Sequence, residues 1–361
     1  MQEMAATKKR LIQALAVNPL DKEFLTTDDI LLLPSLGKLK SRKDAKLRPF
    51  IYSAPMDTVT GYRLAEVLTR SKNHQGCEQG AVVCRFLPQE QFKALAQLHK
   101  RNNLFHAVSG RKEDVAILQN VSYDNKLSVA IDVAHGDTES MHELYNLWRE
   151  QVFVQDIMSG SVCSPAGVIR AAQAGCTHIR LGVGPGAACT TRLQTGCGNP
   201  QLSAVYLAHK ALVIKGLRDK VTLIADGGIR YPGDAVKYLA AGADAIMLGS
   251  RFSTCIESHG WKRHKKRWWH KPQLVKRFRG QASASFQLDV FGKKSRCPEG
   301  ATGPLIEPTC SVKDLVGEFE DGIRSALSYL GLTSINELNP DNVTFIRITP
   351  SASKEGGPHG T

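Results

Sequence analysis

Eight apolar segments of strand length recur along this chain, and their rhythm restricts the fold more than any other feature. They are "FIYSA" (50–54), "GAVVCR" (80–85), "LFHAVS" (104–109), "SVAIDV" (128–133), "VFVQDI" (152–157), "HIRLGV" (178–183), "VTLIAD" (221–226) and "DAIMLG" (244–249). Most are apolar without alternation, as parallel strands buried on both faces must be. Alanine-rich amphipathic segments lie between several of them, such as "SPAGVIRAAQAG" (164–175) and "PGDAVKYLAAGA" (232–243). Each has a small or polar start and a glycine near its stop, which reads as a helix. Eight strands alternating with helices is the count of a (β/α)8 TIM barrel, with a doubly wound open sheet as its competitor. Polar and glycine-rich residues follow several strands: Asp132 to Gly136, Gly182 to Cys189, Asp226 to Gly228, and Gly249 with Ser250. Barrel active sites gather at such strand ends, which favours the barrel.

The stretch 251–361 is glycine-rich, basic and poor in regular pattern, and reads as an extended flap and tail. The expectation is therefore one barrel domain over 1–361, with a basic hairpin and mobile flap at about 251–310 and a C-terminal tail at 346–361. A length of 361 residues allows a sizeable core. No run approaches the ~18 apolar residues of a membrane span, and "MQEMAATKKRLIQAL" reads as a helical lead-in rather than a signal peptide. The nine cysteines are odd in number, scattered and without a CxxC pair. That argues against zinc and against a disulfide framework, and for a reducing, cytoplasmic setting.

The formal charge of +13 is unevenly spread. Residues 261–279, "WKRHKKRWWHKPQLVKRFR", hold nine Lys or Arg and three Trp. Such a run suits an acidic partner, whether nucleotide, nucleic acid or charged surface, and equally a solvated loop with aromatic anchors.

At the strand ends, "ADGG" (225–228) and "LGS" (248–250) offer backbone amides in glycine turns, a ready anion nest. Asp226 beside them would suit ribose hydroxyls. The loop "GVGPGAACTTR" (182–192) ends in Cys189, which loop amides and a nearby cation could activate as a nucleophile. Thr191 is placed to position a water or a leaving group. An inert core thiol is the ordinary fate of a lone cysteine, but the glycines that lead up to it and the matching nest weigh against that here.

Taken in order, "SAPMDTVTG" (53–61), "IDVAHG" (131–136), "GVGPGAACTTR", "TGCGNPQLSAV" (195–205), "ADGGIRYPGD" (225–234), "GADAIMLGS" (242–250), "FRGQAS" (278–283), "PEG" (298–300) and "DGIRSALSYLG" (321–331) resemble the IMP dehydrogenase/GMP reductase family over nearly the whole chain. The resemblance implies a (β/α)8 barrel, assembled as a homotetramer, acting on a purine nucleotide. It implies that Cys189 attacks C2 of the purine, with Thr191 and Glu299 managing the water or ammonia. Asp132 and Arg180 would lie toward the nicotinamide cofactor and Asp226 on the ribose. Gly227, Gly228, Gly249 and Ser250 would cradle the phosphate, with Gln281 and Ala282 at the base. Carbonyls of Gly184, Gly186 and Cys189 would hold a potassium ion, completed by Glu355, Gly356 and Gly357 of a neighbouring subunit.

Two branches of the family are possible. Fewer than twenty residues separate the strands at 80–85 and 104–109, so the regulatory module that dehydrogenases usually carry there is absent. "IDVAHG" and "TGCGNPQLSAV" look more like the reductases, and the flap stretch 283–294 lacks the arginine that activates water in the dehydrogenases. Arg180, "PEG" and "EGG" lean the other way. The balance favours NADPH-dependent reduction of GMP to IMP and ammonia, with NAD-dependent oxidation of IMP as the alternative; no GxGxxG unit exists from which to read the cofactor. A shifted purine substrate and a non-catalytic nucleotide- or nucleic-acid-binding protein are further alternatives. The family's phosphate-binding Ser and Tyr are Ala187 and Phe278 here, its base-site Met is Gln281, and an Asn after the fifth strand is Ser161. Each lost hydroxyl donor should weaken a 5′-phosphate by roughly 0.5–1.5 kcal/mol.

Overall fold

A computed structural model of the chain describes residues 23–70, 78–87, 103–122, 126–264 and 273–356. The expected lead-in helix, the tip of the basic hairpin and Gly357 lie outside these residues. A short strand β1 (Ile30–Leu32) precedes the eight expected strands, which all form. They are β2 (Ile51–Ser53), β3 (Gly80–Val83), β4 (Leu104–Val108), β5 (Leu127–Ile131), β6 (Val154–Met158), β7 (His178–Leu181), β8 (Thr222–Asp226) and β9 (Ala245–Leu248). They pair in chain order, every pair parallel, and β2 closes on β9 with Ile51 opposite Ile246. Closure removes both edges and settles the choice against an open sheet.

The two-residue strand period sorts the side chains into two cores. Tyr52, Val82, Phe105, Ala130, Met158, Ile224 and Met247 fill the barrel interior. Their neighbours Ile51, Val83, Leu104, Val129, Leu223 and Ile246 pack outward under the helices. His178 joins the interior plug edge-on to Phe105, ring centroids 4.7 Å apart, and burial there favours its neutral form.

The helices are α1 (Tyr62–Arg70), α2 (Glu113–Ser122), α3 (Glu139–Arg149), α4 (Pro165–Gln173), α5 (Thr191–Thr195), α6 (Gln201–Lys215) and α7 (Pro232–Ala240). Their starts follow from local chemistry. Thr138 caps Met141 at α3, and Ser164 caps Gly167 at α4 with Pro165 in its first turn. Helix α3 then seats Leu144, Tyr145 and Trp148 against the barrel.

Beyond β9 the structure corrects the sequence reading. The stretch 251–361 is not poor in regular structure. After the short α8 (Ser250–Ser253), strands β10 (Lys262–His264), β11 (Gln273–Arg279) and β12 (Thr302–Ile306) form an antiparallel sheet, with α9 (Ala284–Phe291) between the last two. There follows α10 (Val312–Leu330), the longest of the described helices. It buries Leu315, Val316, Phe319, Ile323, Leu327 and Leu330 at helical spacing, opens with a Ser311–Asp314 capping box and stops at Gly331. Those signals were in the sequence, but the charged outer face of the helix diluted the apolar run. Strand β13 (Phe345–Arg347) pairs back on β1, and α11 (Pro350–Glu355) closes the described chain. No described helix is long and apolar enough to cross a membrane.

Candidate active site

The loop after β7 is shaped by two glycines and one arginine. Gly182 has φ +149°, and a Cβ there would stand 2.3 Å from the Asp226 carbonyl oxygen, so only glycine lets this loop lie against the end of β8. Gly184, at φ +86°, leaves room for the Arg192 side chain. Arg192 in turn donates to the carbonyls of Val183 (3.1 Å) and Asn199 (2.6 Å), tying both sides of the loop together. A turn from the Gly186 carbonyl to the Cys189 amide, 2.9 Å, then presents the thiol. Its Sγ lies 3.2 Å from Thr191 Oγ1, at the start of α5.

The flap is stitched to this loop by backbone bonds. Thr190 N donates to Glu299 O (2.9 Å), Ala301 N to Ala188 O (2.9 Å), and Gly280 N to Ala301 O (3.0 Å). Cys189 and Gly300 thus face each other as an antiparallel bridge, which sets the Glu299 backbone against the nucleophile loop although 110 positions separate Glu299 from Cys189. At its root the flap is anchored by Arg279, which grips Asp57 at 3.0 and 2.8 Å in a two-pronged pair.

Across the barrel mouth runs a chain of alternating charges. Arg85 Nε is 3.4 Å from Asp132 Oδ2, Asp132 Oδ1 is 3.6 Å from Arg180 Nη2, and Arg180 Nε is 3.4 Å from Asp226 Oδ2. Arg180 is buried and also donates to Ser161 Oγ at 3.1 Å. Loss of solvent raises the Asp226 carboxyl above the ordinary aspartate range; Arg180 opposes that shift and Asp132 adds to it. Arg180 is therefore the shared counter-ion of two carboxylates, which keeps two anions tolerable in one cavity.

Cys189, Thr191, Glu299 and the Arg85, Asp132, Arg180, Asp226 chain line one cavity of about 630 Å³ at the C-terminal end of the strands. Of the residues singled out in the sequence, Cys189, Thr191, Glu299, Asp132, Arg180, Asp226, Gly227, Gly228, Gly249, Ser250, Gln281, Ala282, Gly184 and Gly186 all border it. Gly227 and Gly228, at φ +88° and +74°, turn the chain after β8, and Gly249 precedes the first turn of α8. Ala187 and Phe278 border the cavity too, so the two missing hydroxyls are missing from its wall. Glu355 and Gly356 are not brought there: they sit at the end of α11, which packs against residues 27–29. Sequence reasoning missed Arg85, Arg230 and the Asp57–Arg279 anchor. Arg85 closes the second apolar run, "GAVVCR", and a charge at a barrel strand end is the signal that could have found it.

Comparison with known proteins agrees with this geometry. The model of the IMP dehydrogenase / GMP reductase domain matches residues 24–359. The chain is 32% identical over 243 residues to an inosine-5′-monophosphate dehydrogenase of Chlorobaculum tepidum, covering 64% of this chain and 47% of that one. It is 31% identical over 284 residues to that of Chlorobaculum parvum, covering 74% and 54%. Against the Escherichia coli K12 enzyme of the same name it is 34% identical over 258 residues, covering 70% and 51%. The chain thus spans about half the length of these curated relatives. With a closed eight-stranded barrel, one strand-end cavity and a match from residue 24 to residue 359, the chain belongs to the IMP dehydrogenase / GMP reductase family.

Proposed function

We propose that the chain is a purine nucleotide oxidoreductase working at C2 of the base through Cys189, and that its reaction is oxidation of IMP. The observation that supports this best is the convergence of the Cys189 thiol, the Thr191 hydroxyl 3.2 Å away and the Glu299 segment on one cavity with a glycine cradle. The names of the three relatives above, each an inosine-5′-monophosphate dehydrogenase, favour oxidation over the reductive direction that the sequence features favoured.

Each group has a role its position supports. Glycine turns at 227–228 and the first turn of α8 at Ser250 offer backbone amides to the 5′-phosphate. Asp226 accepts from the ribose hydroxyls, its charge balanced by Arg180. With the nucleotide held at both ends, Cys189 Sγ is aligned for addition at C2, and proximity itself supplies much of the rate. Thr191 Oγ1 accepts a hydrogen bond from the Cys189 thiol and later orients the water that releases the product, while the Glu299 carboxylate, on the segment bonded to Thr190, is the group that takes the proton. A nicotinamide cofactor bound here, NAD in this direction, would supply the acceptor for the hydride that leaves C2. The cavity's volume lies in the range that holds a drug-sized ligand, and the Asp132–Arg85 end leaves a wall for the nicotinamide ring. Potassium fits the loop chemically, because Gly184, Gly186 and Cys189 offer neutral carbonyl oxygens, the donors a hard cation takes. In that role it would order the loop that carries the thiol.

GMP reduction with NADPH is the second reading, and one observation favours it. No arginine among the described flap residues borders the cavity, and Arg296, the nearest to Glu299 in sequence, is exposed. Without a flap cation, activating water for hydrolysis falls to Thr191 and Glu299 alone. Absorbance at 340 nm decides between them. A rise with IMP and NAD supports the oxidation, and a fall with GMP and NADPH, with ammonia released, replaces it. No change with either pair would turn the reading toward another purine, given Ala187 and Phe278.

A further inference from the structure

We propose that Cys255 and Cys310 are a modification site, a reversible dithiol that an oxidant of the small-disulfide class closes into a bond across the two ends of the flap. Neither the strand-end cavity nor the purine reading enters this inference. Both cysteines are free, and their Sγ atoms stand 3.7 Å apart where residues 255 and 310 face each other in a parallel bridge. Backbone bonds hold that register from both sides: Thr309 N donates to Thr254 O at 2.9 Å and Ile256 N to Cys310 O at 3.0 Å. The Cys255 carbonyl accepts from Ser258 N, Ser258 Oγ and Trp261 Nε1, which fixes the chain there. Bridge partners have Cα atoms about 5 Å apart, inside the span of about 4.4–6.8 Å that a disulfide takes. Side-chain rotation is therefore enough to bring the sulfurs to their bonding distance of about 2.05 Å.

The two thiols differ in access, and that orders the chemistry. Cys310 is half-buried, whereas Cys255 has no exposed surface. Loss of solvent and the adjacent Cys310 hold the Cys255 thiol above the ordinary range, so it is a poor first nucleophile. Cys310 therefore meets the oxidant first: its sulfur displaces one half of the small disulfide as a thiol and forms a mixed disulfide. Cys255 then attacks Cys310 Sγ and expels the other half. The protein pair loses two electrons, the small disulfide is reduced to two thiols, and the two cysteine protons end on those thiols. A cysteine without such a neighbour stops at the mixed disulfide. In a reducing setting a bond of this kind is transient and redox-sensing rather than a permanent strut. The two cysteines are 55 positions apart, and β10, β11, α9, β12 and Glu299 all lie between them. Closing the bond ties the chain where it leaves the barrel for the flap to the point where it returns.

The test exposes the folded, full-length chain to oxidised glutathione, unfolds it in an alkylating denaturant and maps its tryptic peptides by mass spectrometry. The peptide 252–262, which carries Cys255, should be joined to the one carrying Cys310, with two hydrogens lost. Cys297 shares that second peptide, so Cys297→Ser should keep the link and Cys310→Ser should abolish it. Oxidation should also raise the Tm of the wild type by about 3–5 °C, reversibly with dithiothreitol, and leave that of Cys310→Ser unchanged. Recovery of Cys310 only as a glutathione adduct, with Cys255 alkylated, would overturn the proposal, as would a link that survives Cys310→Ser. A bond that forms with no rise in Tm would overturn its role as a tie between the flap's ends. Should Cys310→Ser fail to fold, the wild-type map still decides, because further cleavage after Glu299 and Glu307 separates Cys297 from Cys310.

Discussion

Cys189 illustrates how one side chain acquires chemistry from its surroundings. Its thiol is one of several free cysteines in the described chain, and what separates it from buried Cys84, Cys176 and Cys255 is exposure to a cavity and a hydroxyl at 3.2 Å. Burial pushes the Cys84 thiol up to about 12, a group with no thiolate to offer near neutrality. Cys189→Ser is expected to lower turnover at least about 1,000-fold while nucleotide affinity changes little, read by 340 nm absorbance and by calorimetry. Near-normal turnover would remove the covalent mechanism. Asp226 carries a pH prediction. Its carboxyl is raised by burial, so acidification protonates it earlier than an ordinary aspartate, and protonation removes a ribose acceptor while stripping Arg180 of part of its counter-charge. Nucleotide affinity should therefore fall as pH decreases, beginning above the usual aspartate value of about 3.9. Asp226→Asn should bind more weakly and lose that limb; an unchanged profile would show that Asp226 does not contact the ligand.

At the level of elements, helix ends separate two kinds of glycine. Gly331 ends α10 and Gly292 ends α9, both left-handed, at φ +69° and +68°. A Cβ at Gly331 would stand 2.3 Å from the Leu36 carbonyl oxygen, whereas nothing lies within 4 Å of one at Gly292. Gly292→Ala should cost about 1 kcal/mol, for the backbone conformation alone, and Gly331→Ala about 2 kcal/mol or more, because backbone must also move. Denaturant melts of the two variants test this, and equal losses would show that the 35–37 segment yields freely. The strands were legible because burial on both faces leaves continuous apolar runs. Helix α10 was not, because its outer face carries Lys313, Asp314, Glu318 and Asp321, and a helix with half its surface in water is apolar only at every third or fourth position.

The whole molecule raises the question of assembly. The expected homotetramer follows from family resemblance, and one chain leaves Glu355 and Gly356 on α11, away from the Cys189 loop. Light scattering on the purified protein should give about four times the 39.5 kDa chain mass, and activity should depend on potassium and fall on removing 355–357. A monomer with full activity would exclude a contribution from a neighbour's tail. The basic run 261–279 starts in β10, whose Lys262, Arg263 and His264 are exposed, while Lys276 of β11 is buried, donating to Thr58 O and Ser258 Oγ beneath the Trp261 ring. At least one cation of the run is thus structural, a distinction that charge counting could not make.

By itself the sequence determined the eight strands and the segments that form most of the cavity wall, while closure of those strands into a barrel was left to the structure, since strand burial and strand-end glycines are local consequences of what each residue must do. Ala187, Phe278 and Gln281 were also visible as departures before any coordinates. Only the tertiary structure decided that Arg180 stands between Asp132 and Asp226, that Arg85 joins their chain, and that Glu299 reaches Cys189 through a backbone bridge. It alone set Cys255 against Cys310. Each of these depends on contacts between residues far apart in the chain, whose distances closure of the barrel sets and no local pattern encodes.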